Sequence, residues 1–334
     1  MAKRERTDSG ERKPDIGGQA VMEGVMMKSP DSIAIAVRKP SGEIVVKRDP
    51  YVSAAKKHKW MGWPVVRGVV NMAMMLVMGM QTLEASTKML GILDEEPSRF
   101  EKWLSQKLGK SVDKIVMGVA MVMALGLSLL LFMVVPSFVG TLMNRAVSSL
   151  LVVNLVSGLV RIVILIAYIG LAGLIPDMRR TFEYHGAEHK TVYCYENGLP
   201  LTPENAQKFT TLHPRCGTSF LLLVMIIAIL LGAVSDQILQ LVFGFERLSF
   251  VWRLVRSLVL LPLIAGVSFE ALKGLAHSDG KLVRAIRWPG LMLQKLTTRE
   301  PDEKQLEVAI AAFNAAVYGL KAQEAPEAAP EAAV

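Results

Sequence analysis

Four apolar runs of roughly 25 residues, each long enough to cross a bilayer as a helix, constrain this chain more than any other feature. The first spans about Ile115 to Leu142 and carries no charged side chain. The second, about Leu151 to Ile175, is interrupted by Asn154 and Arg161 and stopped by Pro176. The third, about Ser219 to Phe243, holds Asp236, and the fourth, about Val251 to Ala276, holds Arg253, Arg256 and Glu270. A fifth apolar stretch lies between Arg67 and Glu84, only 16 residues long, and contains Asn71. Its length is short for a span, so it reads as an interfacial or re-entrant helix.

The charges gather beside these runs. A mean hydropathy of +0.36 excludes a disordered chain and argues against a purely soluble enzyme. The excess of 38 Lys and Arg over 30 Asp and Glu would suggest nucleic acid in a soluble protein. Here it reports topology, and no nucleic-acid partner is expected. Lys88, Arg99, Lys102, Lys107 and Lys110 precede the first run, and Arg179, Arg180, Lys190, Lys208 and Arg215 lie between the second and third. The other two links carry Arg145 and Arg247 alone. The positive-inside rule therefore puts both termini and the long second link on the cytoplasmic side of a plasma or inner membrane. Lys3, Arg4 and Arg6 are followed by no apolar core, so the N-terminus does not read as a signal peptide. Arg161, Asp236 and Arg256 call for partners within the membrane, either as an ion path or as a pair that sets helix register.

The remaining segments are small. Residues 1–14 and 321–334 read as disordered tails. Residues 15–60 hold a glycine-rich stretch, Gly17 to Met27, and a β-hairpin over Ser32 to Lys47 turned by Lys39-Pro40-Ser41-Gly42. The glycine stretch lacks the Gly-Lys-Ser/Thr of a phosphate loop, so turn geometry or tight packing is the simpler reading. Residues 61–113 are interfacial or amphipathic, with Met61, Met72, Met74, Met75, Met78 and Met80 suited to adaptable packing or, less simply, to a soft metal. Phe100, Trp103, Leu104 and Leu108 share one helical face. Residues 114–276 form the four-helix membrane region with its His/Cys loop at 176–217. Residues 277–320 contain a helix whose apolar stripe is Leu306, Ala309, Ile310, Phe313 and Val317.

Chemistry concentrates in the second link. His185-Gly186-Ala187-Glu188-His189 is an H-x-x-E-H motif. On a helix its two imidazoles share a face and can hold one metal ion. Glu188 can then serve as general base, the role of the glutamate in inverted zinc proteases. His213-Pro214-Arg215-Cys216 follows, and Cys194 lies between the two clusters. Nitrogen and thiolate donors favour zinc. The metal set is His185, His189, His213 and Cys216, with Cys194, Glu270 and His277 as outer candidates. Glu270 stands 81 residues after His189 (270 − 189), a separation compatible with the third ligand of inverted zinc proteases. Four ligands would make a closed structural site, and three would leave room for hydrolysis. A Cys194–Cys216 disulfide is disfavoured in a reducing compartment. The bland alternative is a polar helix face.

The segments IGGQAVMEGVMM from Ile16, EYHGAEHK from Glu183 and HPRCGTSF from His213 together resemble the bacterial YqhQ-like family, a domain of unknown function, over roughly residues 15–300. The resemblance implies a multi-span membrane protein with a metal-dependent activity. It also implies that Gly17 to Met27 belongs near the metal cluster, with Glu23 as a further acid.

The expectation is a mainly α, polytopic membrane protein with four transmembrane helices, an interfacial or re-entrant helix and a small cytoplasmic β-hairpin. It would bind a divalent metal, most simply zinc, and hydrolyse a substrate at the membrane face. Its partners would be membrane lipids, a membrane protein or a second copy. The alternatives are a scaffold with a structural zinc and, further off, a transporter.

Overall fold

The computed structural model describes residues 16–53, 56, 58–91, 112–244, 249–276 and 280–319. The tails, the stripe Phe100 to Leu108 and His277 lie outside them. The chain divides into two compact units. One comprises Met1–Leu90, Ile169–Leu221 and Phe269–Val334, the other Gly91–Tyr168 and Leu222–Ser268.

The first unit is built on an antiparallel meander of four strands in the order β1 (Gly17–Val21), β2 (Gly24–Lys28), β3 (Ser32–Arg38) and β4 (Ile44–Pro50). The hairpin over Ser32 to Lys47 is β3–β4, closed where Gly42 takes φ +89° and donates its N–H to Lys39 O at 2.9 Å. The glycine-rich stretch is a second hairpin, β1–β2, with Val21 opposite Gly24. Gly24 is needed there, because a Cβ would strike the carbonyl of Ala36 on β3.

Both faces of this sheet are apolar, which hides the usual alternation of polar and apolar residues. Val25, Met27, Ala34 and Ala36 point to one face. They meet α5 (Pro176–Glu196) and α10 (Glu303–Tyr318) through Tyr184, Ala187, Leu306, Ala309 and Phe313. Val21, Met26, Ile35 and Val37 point to the other, where they meet Met78, Ala85, Met89 and Leu90 of α1 (Val66–Leu90). The expected stripe of α10 is therefore a docking face within the protein. The helix starts on a capping box between Asp302 and Gln305 and ends at Gly319 with φ +76°. The other helices of this unit are the short α6 (Pro203–Gln207) and α9 (Lys281–Thr297).

The second unit is helical. It draws on α2 (Val112–Leu129), a π turn at Leu130–Val134, α3 (Val135–Ala146), α4 (Leu150–Ala172), α7 (Gly217–Phe243) and α8 (Phe250–Ala276). Small residues let these helices approach: a Cβ on Gly158 would strike Ile229, and one on Gly140 would meet Ser157.

Among the described residues, five helices are long and apolar enough to cross a membrane: Val66–Leu90, Gly118–Ala146, Leu150–Ala172, Phe220–Phe243 and Phe250–Leu275. The fifth apolar stretch of the sequence is thus a continuous helix of 25 residues. Hydropathy alone stops it at Glu84, yet the helix runs on, with Lys88 paired to Glu84 one turn away at 2.6 Å. Its second half lies on the sheet through Met78 and Ala85, while Met75, Leu76, Val77, Met80 and Leu83 are exposed. Met74, Met75 and Met78 also line a cleft of about 980 Å³ against Ile33, Ile35 and Tyr51 of the sheet region, as expected of adaptable packing residues.

Candidate metal centre

The site grows from α5. Pro176 occupies its first turn and Asp177 places a negative charge at the positive end of the helix dipole. Three and four residues apart, His185, Glu188 and His189 fall on one face. Gly186 between them is forced by packing: a Cβ there would strike the carbonyl oxygen of Arg299, whose N–H donates to Phe182 O at 2.9 Å. This close approach brings the end of α9 beside His185.

His185 Nδ1 stands 2.8 Å from Thr297 O, and His189 Nδ1 is hydrogen-bonded to Thr211 O. A carbonyl only accepts, so each Nδ1 carries the proton and each Nε2 keeps a lone pair. The two rings are 4.5 Å apart, centroid to centroid. Cys216 Sγ lies 3.2 Å from His185 Nε2 and receives the N–H of Thr218 at 3.4 Å at the start of α7. One ligand atom from each of His185, His189 and Cys216 lies within 4.8 Å of the others. Donors bound about 2.0 and 2.3 Å from one tetrahedral zinc would stand about 3.6 Å apart. Two imidazoles and a thiolate are donor types that zinc takes.

Glu188 is buried, with Oε2 4.0 Å from His185 Nε2. It leans on β1, where a Cβ on Gly18 would sit 3.0 Å from Glu188 Cγ. The glycine-rich strand therefore meets the cluster. Glu23 is elsewhere, paired with Arg180 and accepting Tyr184 Oη–H at 3.3 Å. Burial raises the Tyr184 phenol well above its ordinary pKa, so this hydroxyl stays a donor.

His213 is a neighbour of the three-residue group. Its ring lies 5.5 Å from that of His189 and 4.6 Å from that of Tyr193. Its Nδ1 accepts the N–H of Arg215 at 3.4 Å, and its Nε2 stands 3.7 Å from Glu196 Oε2. Burial pushes its pKa down to about 4, against the pull of Glu188, so the ring is neutral near pH 7. Gln294 of α9 clamps its backbone, accepting its N–H and donating to its carbonyl, both at 2.7 Å.

The outer candidates are not in the group. Cys194 is buried with its Sγ 3.4 Å from Pro200 O, and burial lifts its thiol to about 11 against the opposing charge of Lys208. Both cysteines are free thiols. Glu270 is held by the fork of Arg67, with Arg67 Nε 2.6 Å from Oε1, and by the N–H of Val65 at 3.3 Å. Thr211, Thr297 and Gln294 orient the cluster, but nothing in the sequence marks them: any residue offers a carbonyl, and Gln294 reads as one polar residue of an amphipathic helix.

A family described as "Protein of unknown function (DUF1385)" matches residues 63–318. The chain belongs to this family. It is also 33% identical over 310 residues to "Uncharacterized protein YqhQ" of Bacillus subtilis (strain 168), covering 90% of this chain and 92% of that protein. No solved structure matches the chain. The DUF1385 match takes in α5, Cys216 and Gln294 and begins after the sheet.

Proposed function

We propose that this DUF1385 protein is a membrane-embedded hydrolase that uses one zinc-like ion at the cytoplasmic face of the bacterial plasma or inner membrane. The observation that carries the reading is the convergence of His185, His189 and Cys216 beside the buried carboxylate of Glu188. His185 and His189 would hold the ion through Nε2 and Cys216 through its thiolate. The carbonyls of Thr297 and Thr211 keep both imidazoles in the binding tautomer. A bound divalent ion supplies Lewis acidity, which makes hydrolysis accessible near neutral pH. Three protein ligands leave a coordination position open, as hydrolytic sites require. The Glu188 carboxylate accepts and returns the proton. A substrate at this face is a lipid headgroup or a segment of a membrane protein.

A closed structural site would need His213 as fourth ligand. Its ring lies outside the three-residue group and would have to move, giving up the N–H of Arg215. The three-ligand reading asks for no such movement.

The test is the metal content of untagged, detergent-purified protein beside a His185→Ala/His189→Ala variant. About one equivalent of zinc in the wild type, absent from the folded variant, is the expected result. Glu188→Gln should then keep the metal and lose hydrolysis of lipid or peptide substrates. Equal metal in wild type and double variant after zinc is offered back would reduce the motif to a polar helix face. Unchanged turnover in Glu188→Gln would remove Glu188 as base.

A further inference from the structure

The second unit buries a charge cluster that the proposed hydrolase does not use. Asp236 on α7 is fully buried. Its carboxylate accepts Asn154 Nδ2–H at 2.8 Å, pairs with Arg256 and faces Arg253 Nη1 at 3.9 Å. Arg161 lines the same small cavity as Asn154, Ser157, Arg253 and Arg256. Two guanidinium groups therefore face one carboxylate and a third lines the adjoining cavity, an excess of two positive charges among the described residues. Guanidinium does not shed its proton in proteins, so the excess cannot be removed by titration.

The same groups are also short of acceptors. Arg253 is 1% exposed, yet its Nε and Nη2 have no hydrogen-bond partner. Nor do the Nε atoms of Arg161 and Arg256. Each such group bears a desolvation cost that a partner would offset, and the cost is greatest where apolar helices leave no water. A water molecule would supply an acceptor and leave the charge. An anion supplies both.

Size then selects the anion. The cavity offers about 20 Å³, room for one water-sized particle. Phosphate, or a carboxylate carried on an organic molecule, does not fit.

We propose that Arg161, Arg253 and Arg256, with Asn154 and Ser157 at the wall, form a buried binding site for one halide-sized monovalent anion, chloride in the cell. The anion balances the charge that Asp236 leaves over and ties Arg161 of α4 to Arg253 and Arg256 of α8. The site is independent of the metal centre, so loss of metal does not bear on it.

Full-length protein in detergent tests this with radiolabelled chloride. The expected result is about one chloride per chain, displaced by bromide and not by gluconate, which is too large to enter. Replacing chloride by gluconate at equal ionic strength should lower the unfolding midpoint by about 5 °C, as loss of a ligand bound well above its Kd does. Arg253→Gln removes a charge, and Ser157→Leu fills the cavity with every charge retained. Each should reduce chloride retention at least tenfold. Wild-type protein that retains no chloride and unfolds at one temperature in both salts overturns the proposal, whatever the variants do. Retention that survives both substitutions in folded protein also overturns it, because the anion then sits elsewhere.

Discussion

His189 and Arg253 are almost equally buried, at 2% and 1% exposure, yet their surroundings are opposite. His189 finds the carbonyl of Thr211 at once, and its neighbour His185 finds that of Thr297. Arg253 leaves two of its three nitrogens unpartnered. The backbone explains the contrast. In the first unit, the loop at Thr211 and the C-terminal end of α9 at Thr297 pass beside α5, and their carbonyls are not consumed by a helix ladder. In the second unit nearly every carbonyl is already bonded within its own helix. A polar side chain there either shares a carbonyl that the ladder already uses, as Arg256 does with Gly232 O at 3.4 Å, or is met by another side chain, by water or by a ligand. Polar satisfaction thus comes from free carbonyls at a loop and a helix end in one unit, and from shared carbonyls, side chains or imported groups in the other.

Asp236→Asn strikes the second unit hardest. The substitution keeps shape and removes the negative charge that Arg253 and Arg256 face. Stripping one partner from a buried ionic group costs about 3–5 kcal/mol. Unfolding in detergent should show that loss, and it should be larger in gluconate than in chloride. A cost below about 1 kcal/mol in both salts would mean that solvent already satisfies the cluster and that the contrast between the units is false.

Gln294→Leu tests the first unit. It leaves the buried N–H of His213 without its partner and its carbonyl with only the N–H of Cys216 at 3.3 Å, at a cost of about 1–3 kcal/mol. Since His213 packs beside His189, zinc affinity should also weaken, by about tenfold if Gln294 acts as an outer support of the ligands. Isothermal titration with zinc, alongside thermal unfolding, checks both. Loss of stability with unchanged zinc affinity would make Gln294 a purely structural clamp.

These residues also show how much was legible beforehand. H-x-x-E-H and Cys216 stood out because imidazole and thiolate are rare and their spacing has a helical meaning. The apolar helices were legible from length, apart from α1. There, charges at Glu84 and Lys88 ended the apolar stretch but not the helix. The β3–β4 hairpin was legible from its turn, whereas β1–β2 was hidden. Gly18 and Gly24 look like a loop until one sees that they let neighbouring groups approach. His213 was grouped with the ligands by sequence proximity, and only tertiary contacts reveal the hold of Gln294 on its backbone. Carbonyl partners such as Thr211 and Thr297 carry no side-chain signature at all.

The mildest test concerns Cys194, which lies in the first unit but lacks the partner its ionised form would need. Its thiol is buried against the carbonyls of Leu199 and Pro200, both acceptors that stabilise the protonated form. Burial raises its pKa from 9.0 to about 11. Below pH 9 the thiol is protonated in folded and unfolded chains alike, and its contribution is constant. Between about pH 9 and pH 11 the unfolded thiol ionises while the folded one does not. The folded state then binds more protons, so stability falls as pH rises through that window and levels off above it. The full shift corresponds to about 2–3 kcal/mol. Lysines and tyrosines also titrate there, so the informative quantity is the difference between wild type and Cys194→Ala in unfolding midpoint at pH 8 and pH 10.5. The wild type should lose more stability over that interval, and parallel curves would show that water reaches the sulfur.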